Sequence, residues 1–297
     1  MTAVITLPVS LDDGTFEDVL KQLAPHPVDA KVIIDARHTT FGTPFGLTAL
    51  LTLAQTRETK PEFLPPEDDN VMSYWVRSGF FQYAADLFEI MGTVPRPRSS
   101  GESDVLLEVT PVVRSDDVHS VVERIQQRAE HILTQKLHLE SRATMGFMMA
   151  LSEACQNVVE HAGTGGWVMV QAYRYKKRLQ GKWVAQIAVC DAGVGFRRSL
   201  EMGSRRQLTD RWDDGVALET AVVNGVSRFP ESGRGQGLKG IRGYLHRRQG
   251  KLSVRSGTAR IAMVPTWDDE LPRDDNLAPF PGAQLFMLVP EKLPEAA

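Results

Sequence analysis

The chain has 297 residues and a mass of 33.0 kDa, with 42% hydrophobic residues, 24% charged residues, a formal net charge of -3 and a pI of about 6.2. That length suits roughly two domains, and the charge balance argues against a dedicated nucleic-acid binder. Cys155 and Cys190 lie in apolar runs and read as buried, reduced thiols of a cytoplasmic protein, and no CxxC or Cys/His cluster suggests zinc.

The opening MTAVITLPVSLDD has no basic region leading into a long apolar run, so no signal peptide is expected. No stretch approaches an apolar 20-mer, so no membrane span is expected either. In chain order, residues 3–7 and 31–34 read as short strands, with a helix at 16–23 between them and another at 45–56. A turn-rich segment with Pro61, Pro65 and Pro66 follows, then one helical pattern over 74–88 rich in aromatics. Those aromatics read as core or domain contact. Strand, helix, strand, helix predicts a small α/β layer domain.

Residues 91–104, MGTVPRPRSSGESD, concentrate Pro, Gly and Ser and mark the boundary. The expected division is 1–92, a linker at 93–104, and 105–297. The second domain opens with a strand at 105–113 and an amphipathic helix at 118–134. Ser141 is placed to cap the next helix. Strands at 167–173 and 183–190 flank a basic turn, a partly helical insert spans 195–233, strands follow at 251–255 and 259–264, and a last strand runs over 282–290.

The most informative stretch is LSEACQNVVEHA, residues 151–162, where Glu153, Asn157 and His161 recur every fourth residue on one helix face. An amide oxygen can ligate Mg2+, and a carboxylate can orient or deprotonate a water. By itself the spacing is better explained by a solvated helix face. DAGVG at 191–195 follows the apolar run WVAQIAVC, and GRGQGLKG at 233–240 precedes a helical pattern. Asp191 can accept a hydrogen bond from an exocyclic adenine amine, with Gly193 and Gly195 allowing close backbone approach; a tight turn is the structural alternative. Gly233, Gly235 and Gly237, with the helix start behind them, form an anion cradle. It is not a Walker A loop. The GxGxxG match of Gly235, Gly237 and Gly240 lacks the preceding strand that a dinucleotide fold requires.

ExxxN, DxGxG and GxGxGL in this order resemble the GHKL ATP-binding domain shared by Hsp90, DNA gyrase B, MutL, histidine kinases and bacterial anti-sigma-factor kinases. The E-A-x-x-N-x-x-x-H pattern of Glu153, Asn157 and His161 is most similar to the anti-sigma-factor kinase branch. The resemblance implies an α/β sandwich, with a mixed sheet covered by helices on one face. It implies ATP and Mg2+ as ligands, with Glu153 catalytic, Asn157 on the metal and Asp191, Gly193 and Gly195 at the base. Gly233, Arg234, Gly235, Gly237, Leu238 and Lys239 would lie near the phosphates, and the insert would act as a lid. Lys239 and Arg242 each read equally as phosphate contacts or as solvated side chains. Where the family carries a threonine near the phosphates this chain has Ala283, with Thr258 as a candidate substitute.

KVIIDARHTTFGTPFGLTALL, residues 31–51, resembles the centre of a STAS domain, with Gly46 at the loop glycine, Thr43 in place of Asp and Phe45 in place of the phosphorylatable Ser. A phenyl ring cannot accept a phosphoryl group. Thr39, Thr40 and Thr43 are best explained by loop and capping roles, and Asp35 by a turn. The expected protein is thus a two-domain α/β regulator, a STAS-like domain fused to a GHKL-type domain. It would hydrolyse ATP slowly or transfer phosphate to a serine or threonine; the alternative is a non-catalytic nucleotide-gated switch. A protein partner is expected, a homodimer is admitted, and neither membrane nor nucleic acid is expected.

Overall fold

The computed structural model describes residues 2–95, 105–176, 178–203, 212–227 and 237–291, with backbone alone at 128–132. The chain is a mixed α/β protein with two sheet regions, one on each side of residues 91–104.

The first region is a parallel sheet of β1 (Ala3–Thr6), β3 (Val32–Asp35), β5 (Glu62–Leu64) and β6 (Glu89–Ile90), in that order. A small parallel pair, β2 (Ser10–Leu11) and β4 (Phe41–Gly42), lies beside it. Helix α1 (Phe16–Leu23) is amphipathic and buries Phe16, Val19 and Leu20. Asp35 ends β3 and is buried, and Arg37 grips both its oxygens, Nε to Oδ1 at 3.0 Å and Nη2 to Oδ2 at 2.8 Å. That bond holds its carboxyl below the usual range, as expected of a turn residue. The single helix expected over 74–88 is two, α3 (Asp69–Arg77), capped by Asp68, and α4 (Phe80–Leu87). The break falls where the Ser78 carbonyl leaves the helix to accept Val109 N–H, at 2.8 Å, from the second region's edge strand. Trp75 and Phe80 are fully buried around Phe63, and Tyr74 donates to Gln171 of the second region at 2.5 Å.

Helix α2 (Pro44–Gln55) joins the two regions. Thr43 caps it, accepting Gly46 N–H at 3.2 Å, and Pro44 suits the first turn, where no N–H is needed. Every residue from Pro44 to Ala54 is buried, the mark of a helix covered on all sides. Leu47, Leu50, Leu51 and Leu53 are fully buried, each worth about 1.5–3 kcal/mol over exposure. Phe45 packs edge-on against Phe16 and against Phe286 of the second region. Thr39 and Thr43 are buried, with their hydroxyls on the Pro8 and Leu11 carbonyls, and the exposed Thr40 donates to Val9 O. Incubation with ATP should therefore leave Thr39, Thr40 and Thr43 without stoichiometric phosphate, as phosphosite mass spectrometry would read.

The second region is a seven-stranded sheet. Its strands are β7 (Val105–Val112), β8 (Gly166–Tyr175), β9 (Lys182–Asp191), β10 (Lys251–Gly257), β11 (Ala259–Met263), β12 (Arg273–Asp274) and β13 (Phe280–Pro290). The order is β12-β11-β10-β13-β9-β8-β7 and every neighbouring pair is antiparallel. The expected mixed sheet is therefore corrected. Strands β9 and β10 do run parallel, as a connection through helices favours, but β13 inserts between them and opposes both.

Helices α5 (Ser115–His131), α6 (Ser141–Asn157) and α9 (Gly237–Arg247) cover one face of this sheet. Glu140, rather than Ser141, is the N-cap of α6 and makes no side-chain capping bond. Ala185, Ile187 and Val189 face these helices; Val184, Ala188 and Cys190 face α2 and share one apolar core with the first region. Cys155 and Cys190 are buried and unpaired, their thiols pushed up to about 12 by burial. Among the described residues no helix is long and apolar enough to cross a membrane.

Candidate functional site

Helix α6 places Glu153 and Asn157 one turn apart on the edge of a cavity of about 740 Å3. This lies within the usual size range of small-molecule sites. After Asn157 the helix widens into a π-type turn, Val158–Ala162, a distortion frequent at functional sites. His161, on that turn, still lines the cavity, its Nδ1 3.3 Å from Ser199 Oγ. Ser199 belongs to α7 (Gly195–Gly203), which with Ala221 of the turn Glu219–Val223 forms another wall, and α8 (Asp214–Leu218) packs behind that wall through Ala217.

Asp191 ends β9 at the cavity floor and is 5% exposed. Its Oδ1 accepts Gly193 N–H at 2.8 Å and Ala283 N–H at 3.3 Å, and Oδ2 receives neither. Burial pushes its pKa up to about 6, against the pull of those two N–H groups. A Cβ on Gly193 would overlap the Ala162 backbone, so at this position the bare backbone serves the fit of DAGVG onto the π-type turn. Gly195 lines the cavity at the start of α7.

Glu153 is exposed overall, but its carboxylate sits against Gly237, where a Cβ would collide with it. Partial burial, and then the charge of Glu160, raise its pKa above the ordinary carboxylate value. The α9 start thus lies directly on the Glu153 carboxylate, and Leu238 and Lys239 also line the cavity. Gly233, Arg234 and Gly235 lie outside the described residues. Asn157 Nδ2 is buried with no hydrogen-bond partner among the described residues, so it has a donor to offer to water, an ion's shell or a ligand.

Three positions that the sequence left open have partners in the structure. Arg242 Nη1 donates to the Val222 and Val223 carbonyls at 2.9 and 3.2 Å, so it caps a helical turn instead of pointing at a phosphate. Ala283 lines the cavity beside Asp191, to which its N–H donates. Thr258 donates to Asp214 through both N–H and Oγ1, so its hydroxyl is already used.

Sequence reasoning missed Tyr244, which is 6% exposed and lines the cavity with a buried hydroxyl lacking a partner among the described residues. Its only sequence signal is its place three residues after Ile241 on the buried face of α9. Among the described residues no group of three or more His, Cys, Asp or Glu side chains could hold a metal. A bound Mg2+ would rest on Asn157, ligand oxygens and water, a donor set that Mg2+ commonly accepts. No family model, no curated protein and no solved structure matches the chain.

Proposed function

We propose that the cavity binds ATP with Mg2+ and that the protein either hydrolyses it slowly or transfers its terminal phosphoryl group to a serine or threonine hydroxyl, as the anti-sigma-factor kinases it resembles do. One observation carries this reading: residues as distant in sequence as Glu153, Asn157, Asp191, Gly195, Gly237, Leu238 and Lys239 line a single cavity.

In this reading Asp191 Oδ2 accepts the adenine amine while Oδ1 stays on its two backbone donors. Asn157 supplies a spare amide, its oxygen toward the metal and its NH2 toward a phosphate oxygen. Mg2+, when bound, neutralises phosphate charge. The backbone N–H groups at the α9 start face the phosphates. Glu153 takes the proton of the attacking water or hydroxyl as the new oxygen–phosphorus bond forms and the bridging bond breaks. As a regulator the protein would act on a protein partner in the cytoplasm, with a homodimer as one arrangement.

A second reading, a nucleotide-gated protein-binding switch without turnover, is favoured by Met145 and Met149. Both are exposed one turn apart on α6, and Met149 lies at the cavity rim. Adaptable methionines suit a docking surface.

Calorimetry tests the proposal. Wild type should bind ATP more tightly than GTP, because guanine presents a carbonyl where Asp191 needs a donor, and a chelator should weaken binding. Asn157→Ala should remove most of the Mg2+ enhancement, about 10-fold or more if one charge-assisted contact is lost, with thermal stability preserved. Equal affinity for ATP and GTP would sink the base assignment. A full Mg2+ effect in Asn157→Ala would sink the metal one.

A further inference from the structure

We propose that the end of β10 and the turn after it, residues 255–258, are a junction through which the first region holds α7, a wall of the cavity, and α8 packed behind it, with Glu17 of α1 as the positioning residue. Arg255 is 3% exposed, and its Nε and Nη2 donate to the two carboxylate oxygens of Glu17. The same guanidinium donates to the Gly257 carbonyl at 3.1 Å and to the Ala278 carbonyl. The next residue, Ser256, donates its hydroxyl to Gly282 O at 2.7 Å and accepts Phe196 N–H, in the first turn of α7, at 3.1 Å. Thr258 donates N–H and Oγ1, at 2.9 and 3.1 Å, to Asp214 Oδ2 at the start of α8. Leu200, Ala217 and Ala221 pack α7 and α8 into one small apolar cluster, and Gly195, Phe196, Leu200 and Ala221 line the cavity.

Both α7 and α8 therefore hang on a four-residue segment that is tied to the first region by a nearly buried ion pair. Four residues earlier on β10, Lys251 makes a second tie, to Asp13 at 3.5 Å and to Asp268 and Glu270. Removing the Glu17 charge leaves a buried guanidinium without its counter-ion, which a fold tolerates poorly. The turn must then shift to regain partners, and its bonds to Phe196 and Asp214 shift with it. Coupling of this kind is reciprocal: whatever orders the wall tightens α1, and whatever loosens α1 loosens the wall.

Hydrogen exchange on the full chain tests this, first without nucleotide. In Glu17→Gln, amides of Gly195–Gly203 and Asp214–Leu218 should exchange about fivefold faster or more, while those of Gly166–Tyr175 keep their protection. In Asp214→Ala and Thr258→Val the acceleration should appear in Phe16–Leu23, across the sheet. These two variants carry the test from the other side if Glu17→Gln does not fold. Acceleration confined to the mutated element, or equal acceleration of Gly166–Tyr175, would overturn the junction. A last arm rests on the ATP reading: ATP with Mg2+ should protect Phe16–Leu23 in wild type and fail to do so in Thr258→Val. If wild type binds no ATP, that reading falls and the nucleotide-free arms still decide the junction.

Discussion

Asp191→Asn should make the empty protein more stable at pH 7 and, in the ATP reading proposed above, remove the preference for ATP over GTP. The carboxyl is 5% exposed and titrates at about 6, above its ordinary 3.8, because burial penalises the charged form. An acid raised by folding holds its proton more tightly in the folded state. Its contribution to stability is therefore complete below about pH 4 and is lost as pH rises through 6. Holding the carboxyl at about 6 instead of 3.8 costs on the order of 3 kcal/mol at pH 7. A neutral amide of the same shape avoids that loss, so Tm should rise by several degrees at pH 7 and converge with wild type near pH 4. Binding should move the other way. Since Oδ1 is committed to the Gly193 and Ala283 N–H groups, the new NH2 takes the place of Oδ2 and meets the adenine amine donor to donor. ATP affinity should fall by about 1–3 kcal/mol, and GTP should be the better ligand of the two. Calorimetric unfolding from pH 4 to 8, beside titrations with both nucleotides, reads both effects. A Tm difference independent of pH, or an unchanged ATP preference, would refute them.

Glu153→Gln should abolish phosphate release with ATP affinity almost untouched. The carboxylate is held against Gly237, at the helix start facing the terminal phosphate in the ATP reading. An amide keeps that contact but cannot take a proton, so single-turnover release should fall by about 10²–10⁴-fold. Partial burial and Glu160 raise the Glu153 pKa, so wild-type release should increase with pH as this group loses its proton. The variant should lack that limb of the profile, which separates a base from a residue that only shapes the wall. Release by Glu153→Gln at the wild-type rate would remove Glu153 from the chemistry. No release from wild type, with or without a partner, would leave the switch as the better reading.

Much of this arrangement was readable one element at a time. The helix at 16–23 is found as expected, and the hairpin strands extend by a few residues from their sequence bounds. The four-residue spacing of Glu153 and Asn157 does bring them to one cavity. What escaped is what depends on partners far along the chain. Strands β5 and β6, three and two residues long, are too short to show a period and exist because a neighbouring strand pairs with them. The Ala283 N–H that holds Asp191 lies 92 residues away. The second cover of the seven-stranded sheet did leave a trace. WVAQIAVC is apolar at both parities, and PFGLTALLTLAQ is apolar all round; a strand buried on both faces and a helix buried on all sides require each other. Read separately, each passes for an ordinary core element.

The burial of α2 also has a consequence in time. The segment Pro44–Gln55 is synthesised more than a hundred residues before β9 (Lys182–Asp191), the strand that covers much of it. At about 5–20 residues per second, an apolar helix with one side bare waits on the order of 6–25 s beside the ribosome for its partner. The newborn chain must pass that interval shielded, by a chaperone or by a provisional collapse of its own aromatics around Phe63. Its yield in the cell should therefore depend on the pace of translation through residues 105–191 as much as on the stability of the finished fold.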